Sequence, residues 1–379
     1  MHRDEQSLDH VAALDGLRFI AAAIVLIGHF WNCIAVPPEV DLAVRRSLLT
    51  IFINGYGAVH LFFILSGFCL AGSADRVRSL VDLVQFYTRR VFRIHPPYMY
   101  ALLVAWLASF FYDTSQAHGG LSPYALQRAS VHLPFDQLLT YFMYPSHAAH
   151  QLGPAWTLFV EMNFSFLLPL MLWITRRTHW SVLLAVSLYP LLDSGRLPGF
   201  LDYALHFAAG IAIFQERTPL GRWLARMPRF GQAGFLCLGL GVFAAPWVFG
   251  FVYRPGFSYA PLGLAVSGAG GTLLLCAAIF FPMVNRALCG RALIYGGKTS
   301  YSFYLLHYPV MLLLTRTITG PVGLCEGSCF LVLLFVATTT AAAVSFSVIE
   351  RPSIRLGNAL CSAIAKRTRG ATQFSRLAA

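Results

Sequence analysis

The chain has 379 residues, of which 57% are hydrophobic and 12% charged, and its mean hydropathy is +0.63. Apolar runs recur from end to end, which excludes an ordinary soluble domain and identifies a polytopic membrane protein. The net charge of +12 sits mainly in the connections between those runs, so it reads as membrane topology and not as a nucleic-acid footprint.

Ten spans are predicted, near 17–36, 54–73, 92–112, 154–175, 180–193, 200–215, 232–251, 260–281, 299–316 and 328–349. The expected fold is all-α: one polytopic bundle over residues 1–379, without a fused soluble domain or a clear internal repeat. Residues 1–16 carry several acids and precede a run too long for a signal h-region, so they read as an N-terminal tail. Most of the 28 basic residues fall on one side of the predicted bundle, including Arg76, Arg78, Arg89, Arg90 and Arg93 after the second span. Arg45, Arg46, Arg128, Arg196, Arg254 and Arg316 fall on the other. Positive-inside reasoning then places both termini in the cytoplasm, which requires an even number of spans.

The first span contains "LDGLRFIAAAIVLIGH", with Arg18 and His29 eleven residues apart. That spacing puts them within about 20° of each other on a helix, separated by roughly 16 Å of rise. A snorkelling arginine with a core histidine is one reading; an anchoring cation with a working imidazole is the other. The second span carries His60 in "GYGAVHLFFILSGF". The third opens with "FYTRRVFRIHPPYMY", where Arg90 and Arg93 share a helical face beside Arg89. Guanidinium forks suit phosphate oxygens, so this is a dock for a polyphosphorylated ligand or ordinary cytoplasmic charge.

The segment from 113 to 153 contains His118, His132, His147 and His150, at spacings that match no metal-ligand pattern, and its "FDQLLTYFMYP" portion reads as an interfacial or re-entrant helix. The fourth span carries Trp156 and Glu161 in "GPAWTLFVEMNFSF", and the ninth carries His307 in "GKTSYSFYLLHYPV". Helical rise brings His29, His60, Glu161 and His307 to one membrane level, where a shared polar cavity, with Glu161 orienting an imidazole, competes with separate helix–helix hydrogen bonds. The eight cysteines include no CxxC pair; Cys325 and Cys329 share a short loop and are candidates for a bridge. Residues 350–379 read as a basic cytoplasmic tail, and its terminal "AKRTRGATQFSRLAA" as lying on anionic lipid headgroups.

Taken together, these segments resemble the acyltransferase-3 family of integral-membrane acyltransferases over most of the chain. The resemblance rests on Arg18 and His29 in the first motif, Ser66 and Gly67 in "HLFFILSGF", Arg90 and Arg93 in "RRVFRIHPPY", and Trp156 to Glu161. It extends through Ser300, Tyr301 and His307 in "GKTSYSFYLLHYP" to Glu350 and Pro352 in "VIERPSIRLG". It implies transfer of an acyl group, often acetyl, from cytoplasmic acyl-coenzyme A to a hydroxyl, in a bacterial inner membrane. Acceptors in the family include cell-surface polysaccharides, lipid-linked sugars, peptidoglycan, trehalose lipids and macrolides. His60 stands where the family often has an acidic or other polar residue, so its role is open.

The expected division of labour gives the coenzyme A phosphates to Arg18, Arg90 and Arg93. His29 is the general base, or the carrier of the acyl group itself, and Glu161 its stabiliser. His60, Ser66, Trp156, Ser300, Tyr301 and His307 are candidates for substrate contact or support, with Ser300 or Tyr301 at the oxyanion. No metal is expected. Membrane lipids and a carbohydrate or lipid-linked acceptor are the expected partners, and a homo-oligomer is left open. A solute or lipid transporter, and a non-catalytic component of a polysaccharide export system, are the rival readings.

Overall fold

The computed structural model describes residues 2–111, 119–129, 135–143, 145, 152–192, 199–250, 261–318 and 320–377. The long helices are α1 (His2–Cys33), α2 (Gly55–Ala74), α3 (Leu80–Ser109), α4 (Ala155–Arg177), α5 (Trp180–Leu192) and α6 (Ala204–Gln215). They continue with α7 (Arg229–Val248), α8 (Pro261–Phe280), α9 (Arg291–Leu314), α10 (Leu324–Ser345) and α11 (Arg351–Leu377). Among the described residues there is no strand, only an isolated bridge between Ile34 and Leu121. Helices satisfy their own backbone groups, as a lipid environment requires.

Among the described residues, six helical stretches are long and apolar enough to cross a membrane: Ala12–Cys33, Gly55–Ala74, Ala155–Arg177, Arg229–Val248, Pro261–Phe280 and the run Leu324–Thr368. Helices α3 and α9 have the length, but their apolar runs are diluted by Arg90, Arg93 and His95 in one and Ser300, Tyr301 and His307 in the other.

Helix α1 packs between two apolar clusters. Ala13, Leu17, Ala21 and Val25 recur every four residues and join one apolar cluster with Ile64, Leu65 and Leu275. Ala22, Leu26, Phe30 and Cys33 face a second cluster built with Phe303, Met311 and Leu334. Close helix crossings depend on glycine. A Cβ on Gly67 would lie 2.3 Å from the Phe207 carbonyl oxygen of α6, and one on Gly297 would lie 2.2 Å from the Asp15 carbonyl oxygen of α1. The buried Asn54 caps α2, accepting from the Gly57 N–H and the Trp247 indole and donating to the Phe243 carbonyl, each at 2.8 Å.

Helix α3 starts with a capping box between Ser79 and Asp82. There the Ser79 hydroxyl and the Arg78 N–H hold the Asp82 carboxyl below its ordinary range. Pro96 and Pro97 then interrupt α3 and remove the donors that would have reached the carbonyls of Phe92 and Arg93. Neighbouring helices repair this stretch: Ser353 of α11 donates to the Phe92 carbonyl, and Tyr301 of α9 donates to the Ile94 carbonyl at 2.9 Å. A π-helical turn, Phe346–Glu350, joins α10 to α11 without a break. The segment after residue 350, expected as a tail, therefore continues α10 as a helix, and Ser353, Gly357 and Cys361 seat its first half against α3.

"FDQLLTYFMYP" forms a tight turn at Phe135–Gln137 followed by the short helix Leu138–Met143. Cys325 and Cys329 lie in the first turns of α10 and not in a loop, both exposed and unbridged. His118, His132, His147 and His150 lie outside the described residues.

Candidate active site

His29 meets His307 across the α1–α9 interface, with His307 Nε2 3.1 Å from His29 Nδ1. The fully buried His307 also places its Nδ1 2.7 Å from the Tyr304 carbonyl oxygen. A carbonyl only accepts, so the His307 proton sits on Nδ1 and its Nε2 offers a lone pair. His29 Nδ1 must then be the donor, shared between His307 Nε2 and the Val25 carbonyl at 3.1 Å. In this tautomer His29 Nε2 carries a bare lone pair. That atom has no hydrogen-bond partner among the described residues, and the side chain is only half-buried. This is the arrangement of a general base held by a neighbour.

The three arginines form a second group toward the other end of α1. Arg18 donates to Asp15 at 2.6 Å and to Cys69 Sγ at 3.0 Å. Arg90 pairs with Glu161 at 2.7 Å and reaches Ser165 Oγ at 3.1 Å. Arg93 stands 3.9 Å from Glu350 with 45% of its side chain exposed. Each cation thus has a carboxylate of its own, and Arg93 is the least engaged. The charges of Arg18, Arg90, Glu161 and Glu350 all act on Arg93, so the three guanidiniums belong to one cluster. Glu350 is fully buried; its Oε2 accepts from Ser302 at 2.7 Å, while its Oε1 has no hydrogen-bond partner. Glu350 Oε1 thus has only the long ion-pair contact with Arg93, which leaves that half-exposed guanidinium able to engage another anion.

The groups read at one membrane level divide into three pairs instead of one cavity. Glu161 engages Arg90 and not an imidazole; the charged side chain whose field reaches His29 is Arg128. His60 is buried against His206, ring centres 4.4 Å apart, in a cage with Tyr56 and Tyr203. Neither histidine makes a hydrogen bond of good geometry. Trp156 packs on Tyr203 and Phe63 beside that cage. The Ser300 hydroxyl donates to its own helix at Gly297, 2.8 Å away, and the Tyr301 hydroxyl to Ile94, so neither donor is turned to His29.

Phe62, Ser66 and Cys69 share the partly exposed face of the otherwise buried α2. Cys69 touches Arg18, Ser66 follows one turn on, and Phe62 meets the Tyr304 ring at 5.5 Å. They trace a path from the arginines to the His29–His307 pair. Sequence reasoning did not assign Arg128, His206, Tyr304 or Tyr308, and gave Glu350 a motif but no role. The one signal for Arg128 was its place among the few basic residues outside the positive side.

Two comparisons bear on this geometry. Residues 11–349 match the family described as an acyltransferase domain. The chain is 28% identical over 376 residues to Acyltransferase MdmB of Streptomyces mycarofaciens, covering 91% of this chain and 92% of the relative. It is also 28% identical over 181 residues to Nodulation protein 10 of Rhizobium leguminosarum bv. viciae, covering 46% and 47%. No solved structure matches significantly. Among the described residues no three His, Cys, Asp or Glu side chains group to hold a metal ion. With a family match spanning nearly the whole helical bundle, and a base-competent histidine and an arginine cluster within it, the chain belongs to the acyltransferase-3 family of integral-membrane acyltransferases.

Proposed function

We propose that this protein transfers an acyl group, acetyl in the simplest case, from cytoplasmic acyl-coenzyme A to a hydroxyl of a carbohydrate or glycolipid acceptor. In this reading the bundle has ten spans with both termini cytoplasmic, in a bacterial inner membrane. The single observation that carries it is the bare Nε2 of His29, held by His307 at one end of a path whose other end is the arginine cluster. Membership of an acyltransferase family and the printed name of one relative support the reaction class.

The coenzyme A phosphates engage Arg93 first, since its contact with Glu350 is long, and Arg18 and Arg90 add their field. Glu161 acts through Arg90, holding that guanidinium against α4. The pantetheine arm lies along Phe62 and Ser66 and spans a distance on the order of the 16 Å rise between Arg18 and His29. His29 Nε2 takes the acceptor proton as the hydroxyl oxygen attacks the thioester carbonyl, and His307 keeps the accepting nitrogen free.

The test is incubation of purified protein with acetyl-coenzyme A, with and without glycan acceptors, followed by quantifying free coenzyme A and the intact protein mass. Thiol release by the wild type that disappears in His29→Ala supports a donor-using enzyme centred on His29. A protein heavier by one acetyl group would favour an acyl-histidine carrier over direct transfer. Absence of release from a folded wild type would shift the assignment to transport or to a non-catalytic export component.

A further inference from the structure

The flank of His29 remote from Arg18 is closed by a segment the transfer scheme has not used. Residues 119–129 are lashed to the end of α1. Ala35 N–H donates to the Gly120 carbonyl at 3.0 Å, Ser122 N–H to the Cys33 carbonyl at 2.9 Å, and Ser122 Oγ to the Asn32 carbonyl at 2.5 Å. The short helix that follows, Pro123–Ala129, buries Ala125 and Ala129 in the same apolar cluster as Leu26, Phe30 and Met311. Its position is therefore set by packing on α1 and α9, the two helices that carry the histidine pair.

This lashing delivers Arg128. Its guanidinium lies over the Tyr124 ring at 5.4 Å from the centroid. The Tyr124 hydroxyl is 3.1 Å from that of Tyr308, and the Tyr308 ring stands edge-on to His29 at 5.4 Å between centroids. Arg128 is close enough for its charge to act on His29, Tyr124 and Tyr308 alike. No carboxylate exerts a comparable influence on His29 among the described residues. The hydroxyls of Ser300 and Tyr301 are committed to Gly297 and Ile94. A guanidinium in a poorly solvated site favours negative charge nearby, and acyl transfer creates that charge on the carbonyl oxygen.

We propose that Arg128 is a catalytic residue of the acyl transfer, its guanidinium receiving the oxyanion that forms when the thioester is attacked. The inference rests on the transferase reading above. As the acceptor oxygen bonds to the carbonyl carbon, its proton passes to His29 Nε2 and the carbonyl π pair moves onto the oxygen facing Arg128. When that pair returns, the carbon–sulfur bond breaks and the coenzyme A sulfur leaves with its electrons. The sulfur then takes the proton from His29, so the products are the ester and the free thiol. No oxidant, reductant or metal enters the balance.

Arg128→Ala and Arg128→Gln test this in the full-length protein, with acetyl-coenzyme A turnover resolved into kcat and KM. The expected result is a fall of about a hundred- to a thousand-fold in kcat, with the KM for acetyl-coenzyme A unchanged. Guanidinium chloride at low millimolar concentration should restore part of the Arg128→Ala rate and none of the His29→Ala rate. Wild-type kcat in either variant, or a loss carried by KM alone, overturns the assignment. So does a loss that guanidinium does not restore and that accompanies lowered thermal stability, because it marks a structural role. Should both variants fail to fold, Arg128→Lys decides: a lower kcat at unchanged KM supports the role, and a wild-type kcat removes it. A wild type without coenzyme A release overturns the transferase reading itself, a failure registered before any Arg128 variant is compared.

Discussion

Replacing His307 with leucine removes the acceptor that faces His29 Nδ1 while keeping the site apolar and filled. The His29 Nδ1–H would then have the Val25 carbonyl alone, at 3.1 Å. One net hydrogen bond contributes about 0.5–1.5 kcal/mol, so loss of orientation alone lowers kcat by up to roughly ten-fold. If the freed imidazole also moves its proton to Nε2, the base is lost, and the ceiling is the 10²–10⁴-fold typical of general-base removal. The expected kcat of His307→Leu therefore lies between those limits, with the KM for acetyl-coenzyme A unchanged. His307→Gln keeps an acceptor near the same place and should lose less. The double variant His29→Ala/His307→Leu should be no slower than His29→Ala, because His307 acts through His29. Coenzyme A is best quantified by mass, since Cys237, Cys325 and Cys329 are exposed and would react with thiol dyes. A His307→Leu enzyme with wild-type kcat, or one impaired only in KM, would refute the tautomer argument.

Arg90→Gln and Arg93→Gln should separate strut from grip. The first breaks a 2.7 Å pair and should lower the unfolding temperature in detergent, while the second leaves it unchanged and raises the acetyl-coenzyme A KM by about ten-fold or more; equal effects on both measures would contradict this division. Gly67→Ala places a methyl 2.3 Å from the Phe207 carbonyl and should cost about 1–3 kcal/mol by forcing α2 and α6 apart, read from thermal unfolding. His60→Phe removes a buried ring with no good hydrogen bond and should leave stability within about 1 kcal/mol and turnover intact; a collapse of turnover in a folded variant would assign His60 chemical work.

Periodicity and charge made much of this legible: which runs are apolar helices, that Arg18 and His29 share α1, and that His307 lies in the ninth run. They could not say which polar group meets which. Glu161 and His29 have matching depths, yet rotation of α4 turns Glu161 to Arg90, and His307 fills the place expected for the acid. His60 faces away from the path along Phe62 and Ser66 because the two directions lie on different sides of α2, and its partner His206 sits on a helix with no motif to flag it. Helix spacing fixes height and angle within one helix; pairing between helices depends on small-residue crossings such as Gly67 and Gly297, whose partners are distant in sequence. Arg128 was visible only as a misplaced charge, because its position depends on backbone bonds to the end of α1.

The π-helical turn before Glu350 also governs how α10 and α11 are indexed. Each residue advances an α-helix by about 100°. Deleting one residue at that turn would hardly alter a hydrophobic length, yet it would rotate everything beyond it by more than a quarter of a circle. Ser353, Gly357 and Cys361 would swing off α3, and the carbonyl beneath Pro96 would lose its surrogate donor. The extra residue works as a phase setting: it lets one continuous rod present Glu350 inward and, one turn later, a matched edge to the helix that holds Arg93.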